Sequence, residues 1–314
     1  MKYDQQTVDP FAVDFTIPYS NVTNLGMQVS YRTVMIDGVE IFYREAGLAD
    51  APVILLLHGF PTSSHMFRDL ISLLSAHYRV IAPDYPGYGL SSTSPTSEFT
   101  YSFDNLAEVI DRFTRAIGLD QFALYMQDFG GPVGFRIAVK HPERITALII
   151  QNANAYEEGL APSMDAARPA WAQRSPETEA VLRTFLTAET TQFQYLHGAR
   201  DPSRISPDAW LHAQAGLNRP GNDEIQLAYL HDYGANLKQY PAWQAYLRKY
   251  QPPTLIAWGA NDPFFTVEGA KAYQRDLNDS ELHLFDTGHF ALEEEAGTIA
   301  YLIYEFLQRN LMVR

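Results

Sequence analysis

The stretch Ala123-Leu124-Tyr125-Met126-Gln127-Asp128-Phe129-Gly130-Gly131 decides how this chain is read. Its first half is a short apolar run of the kind that forms a strand covered on both faces. Its second half leads into a segment with helical spacing, and Gly130 and Gly131 remove side chains that would crowd a tight strand-to-helix turn. Such a turn projects one side chain above the sheet edge, beside the next residue's N–H and the positive end of a helix. Asp128 is the projecting candidate. An ordinary helix N-cap also favours Asp, so the rest of the chain has to decide between the two roles.

That strand is one of a series. Val29 to Arg44 reads as two alternating strands joined at Asp37-Gly38, and buried runs follow at Pro52–Leu57, Tyr78–Pro83, Phe122–Met126, Ile145–Ile150, Thr254–Trp258 and Leu282–Phe285. Amphipathic segments at Met66–Ala76, Phe103–Ile117, Val133–Lys140, Gly269–Leu277 and Leu292–Leu307 alternate with them. The alternation predicts an α/β fold: a mostly parallel eight-stranded sheet with helices on both faces. From Asn154 to about Tyr250 the pattern turns helical and aromatic, which predicts an inserted cap at 154–250 on a core formed by 1–153 and 251–314. Pro252-Pro253 marks the return.

Strand ends are where an open parallel sheet places its ligand crevice. Asp262 follows the run Thr254–Trp258, and His289 follows Leu282–Phe285. With Asp128 they give the order nucleophile, acid, histidine, each at a strand's C-terminal end. No Gly-x-Ser-x-Gly occurs, so a serine version has no candidate. A carboxylate suits displacement at saturated carbon, where the product is an alkyl ester on the enzyme. Main-chain N–H groups of Phe60 and Phe129 are the expected oxyanion donors, the first from His58-Gly59-Phe60-Pro61. His58 is placed beside the substrate, although shaping that loop is its simpler role. The remaining histidines lack an acid at a matching strand end, and no His-Glu-x-x-His spacing suggests a metal.

These residues resemble the α/β-hydrolases with an aspartate nucleophile, the group that includes epoxide hydrolases and haloalkane dehalogenases. The resemblance spans roughly residues 29–306 and rests on His58-Gly59-Phe60-Pro61, Asp84-Tyr85-Pro86-Gly87-Tyr88-Gly89, Gln127-Asp128-Phe129-Gly130-Gly131, Asp262 and Gly288-His289-Phe290. It implies an α/β-hydrolase fold, an alkyl-enzyme ester on Asp128 and water activated by His289, with no cofactor. Within that group, cap tyrosines support an epoxide oxygen, whereas indole or amide N–H groups hold a halide. Phe129 carries no side-chain N–H where haloalkane dehalogenases have tryptophan, and Tyr233 falls at the later cap-tyrosine position. The resemblance therefore implies epoxide opening with Tyr233 as proton donor. Where the earlier tyrosine belongs stands Trp171, and the next tyrosine is Tyr195; both are expected to face substrate. Trp171 with Gln127 keeps haloalkane dehalogenation as an alternative. Met126 departs from the small residue usual at its position. A non-catalytic receptor on the same fold is the third possibility.

Bulk properties set the remaining bounds. A 314-residue chain with 46% hydrophobic residues can bury a large core, and a formal charge of −14 repels nucleic acid and anionic lipid. The absence of cysteine excludes disulfides and thiolate chemistry. No leader-like or membrane-length apolar run is visible, so the expectation is a cytoplasmic monomer or homodimer acting on a small apolar or aromatic molecule.

Overall fold

The computed structural model describes residues 28–311. The N-terminal stretch 1–27, assigned above to the core and read for a leader, lies outside the described residues, as does 312–314. Eight strands form one sheet: β1 (Ser30–Ile36), β2 (Val39–Ala46), β3 (Val53–Leu57), β4 (Arg79–Pro83), β5 (Phe122–Gln127), β6 (Ile145–Gln151), β7 (Thr254–Gly259) and β8 (Ser280–Phe285). Their spatial order is β1-β2-β4-β3-β5-β6-β7-β8. β1 pairs with β2 and β2 with β4 in antiparallel fashion, and every later pair is parallel. Asp37 and Gly38 both take positive φ, the conformation a two-residue hairpin needs.

The continuous apolar runs are explained by cover on both faces. Along β3, Leu55 and Leu57 join one core and Ile54 and Leu56 the other. The first core takes Leu106, Ile110 and Phe113 of α2 (Phe103–Ala116) and Val133 and Phe135 of α3 (Gly130–Lys140). The second takes Leu70, Ile71 and Leu74 of α1 (Arg68–Leu74) and Ile299, Ile303 and Phe306 of the last helix, Leu292–Leu311. α3 starts at Gly130 instead of Val133, because glycine and Pro132 are tolerated in a helix's first turn.

Between β6 and β7 the chain runs through α4 (Arg168–Ala172), α5 (Pro176–Arg183), α6 (Ala188–Leu196), α7 (Pro207–Leu217), α8 (Asn222–Leu237) and α9 (Tyr240–Tyr250), with no strand among the described residues. Two more helices, α10 (Val267–Asp276) and α11 (Leu292–Leu311), flank β8. The inserted helices are tied down at α2 and α3. Asp232 accepts the Phe103 N–H at 2.7 Å, Arg136 Nη1 donates to Asn236 Oδ1 at 2.8 Å, and Trp243 stacks on Phe135 at 5.2 Å. Among the described residues no helix is long and apolar enough to cross a membrane.

Candidate active site

β5 delivers Asp128 into a left-handed conformation, φ 50°. A side chain other than glycine adopts this only where surroundings enforce it. Here the neighbours do: a Cβ at residue 59 would collide with the Asp128 side chain, and one at residue 130 with the backbone carbonyl of Leu57. Glycine at both positions lets the turn pass close above β3. Met126 is accommodated in a similar way, since its sulfur packs where a Cβ on Gly134 of α3 would stand.

Asp128 does not act as a side-chain cap of α3. Its Oδ1 instead accepts the Phe60 N–H at 2.6 Å, and the Phe129 amide also favours the charged carboxylate. Oδ2 faces His289 Nε2 at 3.8 Å, outside hydrogen-bond range. Burial pushes the Asp128 carboxyl up to about 6, against the pull of His289 and the two amides.

Asp262 and His289 meet as their strand-end positions imply. His289 Nδ1 lies 2.7 Å from Asp262 Oδ2, and both side chains are buried. Nδ1 donates, because Asp262 also collects the N–H groups of Phe264 (2.7 Å) and Phe265 (3.2 Å) and the Asn152 amide (2.7 Å) and is held as an acceptor. Nε2 is then the acceptor nitrogen, and Gln127 Nε2 donates to it at 3.0 Å. Burial alone would lower the His289 pKa, but the charges of Asp262 and Asp128 outweigh it and hold it above the ordinary value.

Asn152 was not singled out in the sequence. It directly follows β6 with φ 43°, its backbone carbonyl accepts the Asp128 N–H at 3.2 Å, and its side chain bonds Gly259 N, Gly259 O and Asp262. One residue thus links the turn that carries Asp128 to the loop that carries Asp262. A polar residue closing a buried strand was the available signal.

A small cavity opens over this group, lined by Asp128, His289, Tyr233 and Trp171 among mainly apolar side chains such as Phe264 and Leu182. The Tyr233 and Trp171 rings lie 5.2 Å apart, and Tyr233 stands 5.9 Å from Phe129. Burial holds the Tyr233 phenol well above its ordinary value, so it is a neutral O–H donor.

Two expected substrate contacts are not in the cavity. Tyr195 stacks on Phe290 at 4.0 Å within the second core, leaving its neighbour Gln194 to face the cavity. His58 is fully buried and stacks on Tyr85 at 4.0 Å. Its Nδ1 donates to Gly59 O at 3.0 Å, and its Nε2 accepts the Tyr85 N–H at 3.2 Å. With both nitrogens used by main chain, and its pKa lowered to about 4 by burial, His58 holds the loop and does not line the cavity.

Comparisons with known proteins follow this geometry. A family described as alpha/beta hydrolase fold matches residues 52–296. An uncharacterized hydrolase of Saccharomyces cerevisiae, YNR064C, is 43% identical over 278 residues, covering 87% of this chain and 95% of that protein. Epoxide hydrolase 2 of Caenorhabditis elegans is 24% identical over 294 residues, 90% of this chain and 81% of that one. The solved haloalkane dehalogenase DbeA of Bradyrhizobium elkani superposes with a TM-score of 0.76 at 22% identity, covering 91% of this chain and 100% of its own, a likeness of fold.

Proposed function

The chain belongs to the α/β-hydrolase family and is a hydrolase, and from that premise we propose that it opens epoxides to diols through an ester on Asp128. The carrying observation is that Asp128, His289 and the neutral hydroxyl-bearing Tyr233 line one apolar cavity. Residues 154–250 act as its lid.

Asp128 Oδ2 attacks a ring carbon as the ring C–O bond breaks, and Tyr233 gives its proton to the departing oxygen. Trp171 packs against Tyr233 and fixes its ring. Water then displaces the Gln127 amide from His289 Nε2 and gives that nitrogen a proton, and the water oxygen adds to Cγ of the ester. Oδ1, which already accepts the Phe60 N–H at 2.6 Å, carries the negative charge of that intermediate, with the Phe129 amide as the second donor. Collapse breaks the bond from Cγ to the alkyl oxygen, which takes the proton from His289; the proton left on the regenerated carboxyl returns to Tyr233 through solvent. One water is consumed.

The test is mass spectrometry of intact His289→Gln after incubation with 1,2-epoxyoctane. The expected result is a protein heavier by one substrate, and Asp128→Ala should remain unmodified. An adduct that forms equally on Asp128→Ala overturns the nucleophile assignment. Trp171 in the cavity favours a second reading, haloalkane dehalogenation with its indole N–H holding the halide. Halide release without diol formation, over matched chloroalkanes and epoxides, would select it.

A further inference from the structure

Four polar side chains of the cavity have parts in the proposed reaction: Asp128, His289, Tyr233 and Trp171. Gln194 has none. It lies on α6, is 3% exposed, lines the same cavity, and among the described residues its amide nitrogen finds no hydrogen-bond partner. A buried amide without a partner costs stability, and a leucine of the same size would not. Such a group is expected where a ligand completes it.

Its place in the cavity says which part of a ligand it meets. Tyr195, the next residue, stacks on Phe290, and a Cβ on Gly288 would run into the His197 carbonyl, so the C-terminal end of α6 lies over the loop that carries His289. Tyr233 and Trp171 form a separate wall, where α4 packs on α8 and Tyr233 leans on Phe129 and Phe103. Gln194 thus belongs to a different wall from Tyr233 and Trp171, in a cavity whose other lining residues are mainly apolar.

We propose that Gln194 is a specificity-determining residue, and that the substrate class is an apolar epoxide carrying one hydrogen-bond-accepting oxygen, a hydroxyl or ether, on the arm away from the ring. The inference rests on Asp128 being the nucleophile and adds to it the polar anchor for the substrate's other end. A plain hydrocarbon epoxide leaves the amide unpaired, and a site built to pair a polar group discriminates against the analogue that lacks it.

The test compares 1,2-epoxyoctane with 7,8-epoxyoctan-1-ol and with chain-shortened hydroxy epoxides that move the hydroxyl along the cavity. Binding is measured by calorimetry to Asp128→Asn, and turnover with the native enzyme. At least one hydroxy epoxide should bind about tenfold more tightly than its hydrocarbon counterpart, and Gln194→Leu on the Asp128→Asn background should bring that ratio to about one. A ratio of one before the substitution, or one unchanged by it, overturns the proposal. An equal loss of affinity for both ligands assigns Gln194 to packing and overturns it too. The calorimetric ratio does not depend on the chemistry, so an enzyme that binds these ligands but forms no diol would sink the proposed reaction and leave the anchor standing.

Discussion

Asp262 Oδ2 takes two hydrogen bonds of equal length, 2.7 Å from His289 Nδ1 and 2.7 Å from Asn152 Nδ2. The second fixes the carboxylate plane in which the imidazole must lie, and Asn152 also carries the backbone bond to Asp128. Replacing Asn152 by leucine should lower kcat by roughly 10- to 100-fold, the size of a lost hydrogen bond to a charged group. The slower step should be ester hydrolysis, read in single turnover as a burst of alkyl-enzyme that decays slowly. Unchanged decay would show that Asp262 needs no such support.

Tyr233→Phe keeps the ring packed against Trp171 and removes the hydroxyl. Loss of one preorganised donor to a developing oxyanion costs roughly 100- to 1,000-fold. The alkylation rate with 1,2-epoxyoctane should fall by about that much. A chloroalkane substrate would be far less sensitive, which makes the comparison a measure of what Tyr233 serves.

The pH dependence of alkylation follows from the Asp128 carboxyl, pushed up to about 6 by burial. Only the carboxylate attacks, so the stopped-flow alkylation rate should rise about tenfold per pH unit below 6 and level off above it. Tyr233, whose phenol is held well above its ordinary value, adds no alkaline fall through pH 9. A rate flat from pH 4.5 to 8 would contradict the burial effect.

The same shift sets a stability difference. Asp128 is protonated in both states below its unfolded value near 4, and ionised in both above the folded value of about 6. Its raised folded pKa therefore disfavours the native state as pH climbs through this window, by up to about 3 kcal/mol at pH 8. Asp128→Asn should unfold at a higher urea midpoint than the native chain at pH 8, with the gap closing toward pH 4. Equal gaps at the two pH values would count against it.

His58 has the opposite sign. Burial lowers it to about 4, so the fold is favoured above the unfolded value of 6.5 and loses that advantage as pH falls toward 4. His58→Asn should be less stable at neutral pH, because the Tyr85 N–H loses its acceptor, and should show a shallower loss of stability between pH 6.5 and 4.

Strand ends were legible because burial on both faces writes uninterrupted apolar runs, and the residues that follow them inherit a known side of the sheet. Asp128, Asp262 and His289 could be ordered on that basis alone. Helix azimuth was not legible in the same way. Tyr195 and Gln194 are adjacent on α6 and so point about 100° apart; which faces the cavity depends on how α6 docks, and a short amphipathic segment does not specify that. His58 was misplaced for a related reason: its loop position was correct, but both ring nitrogens are consumed by main-chain groups that only the folded turn brings near. Asn152 belongs to no local motif, since its partners come from β5, β7 and the loop beyond.

The close approach of the turn at residue 128 is possible because residues 59 and 130 are glycines, and residue 128 itself holds a left-handed backbone. Any side chain added at 59 or 130 would have to shift this corner, so the two residues that most tightly guard the position of the Asp128 carboxyl are ones with no side chain of their own.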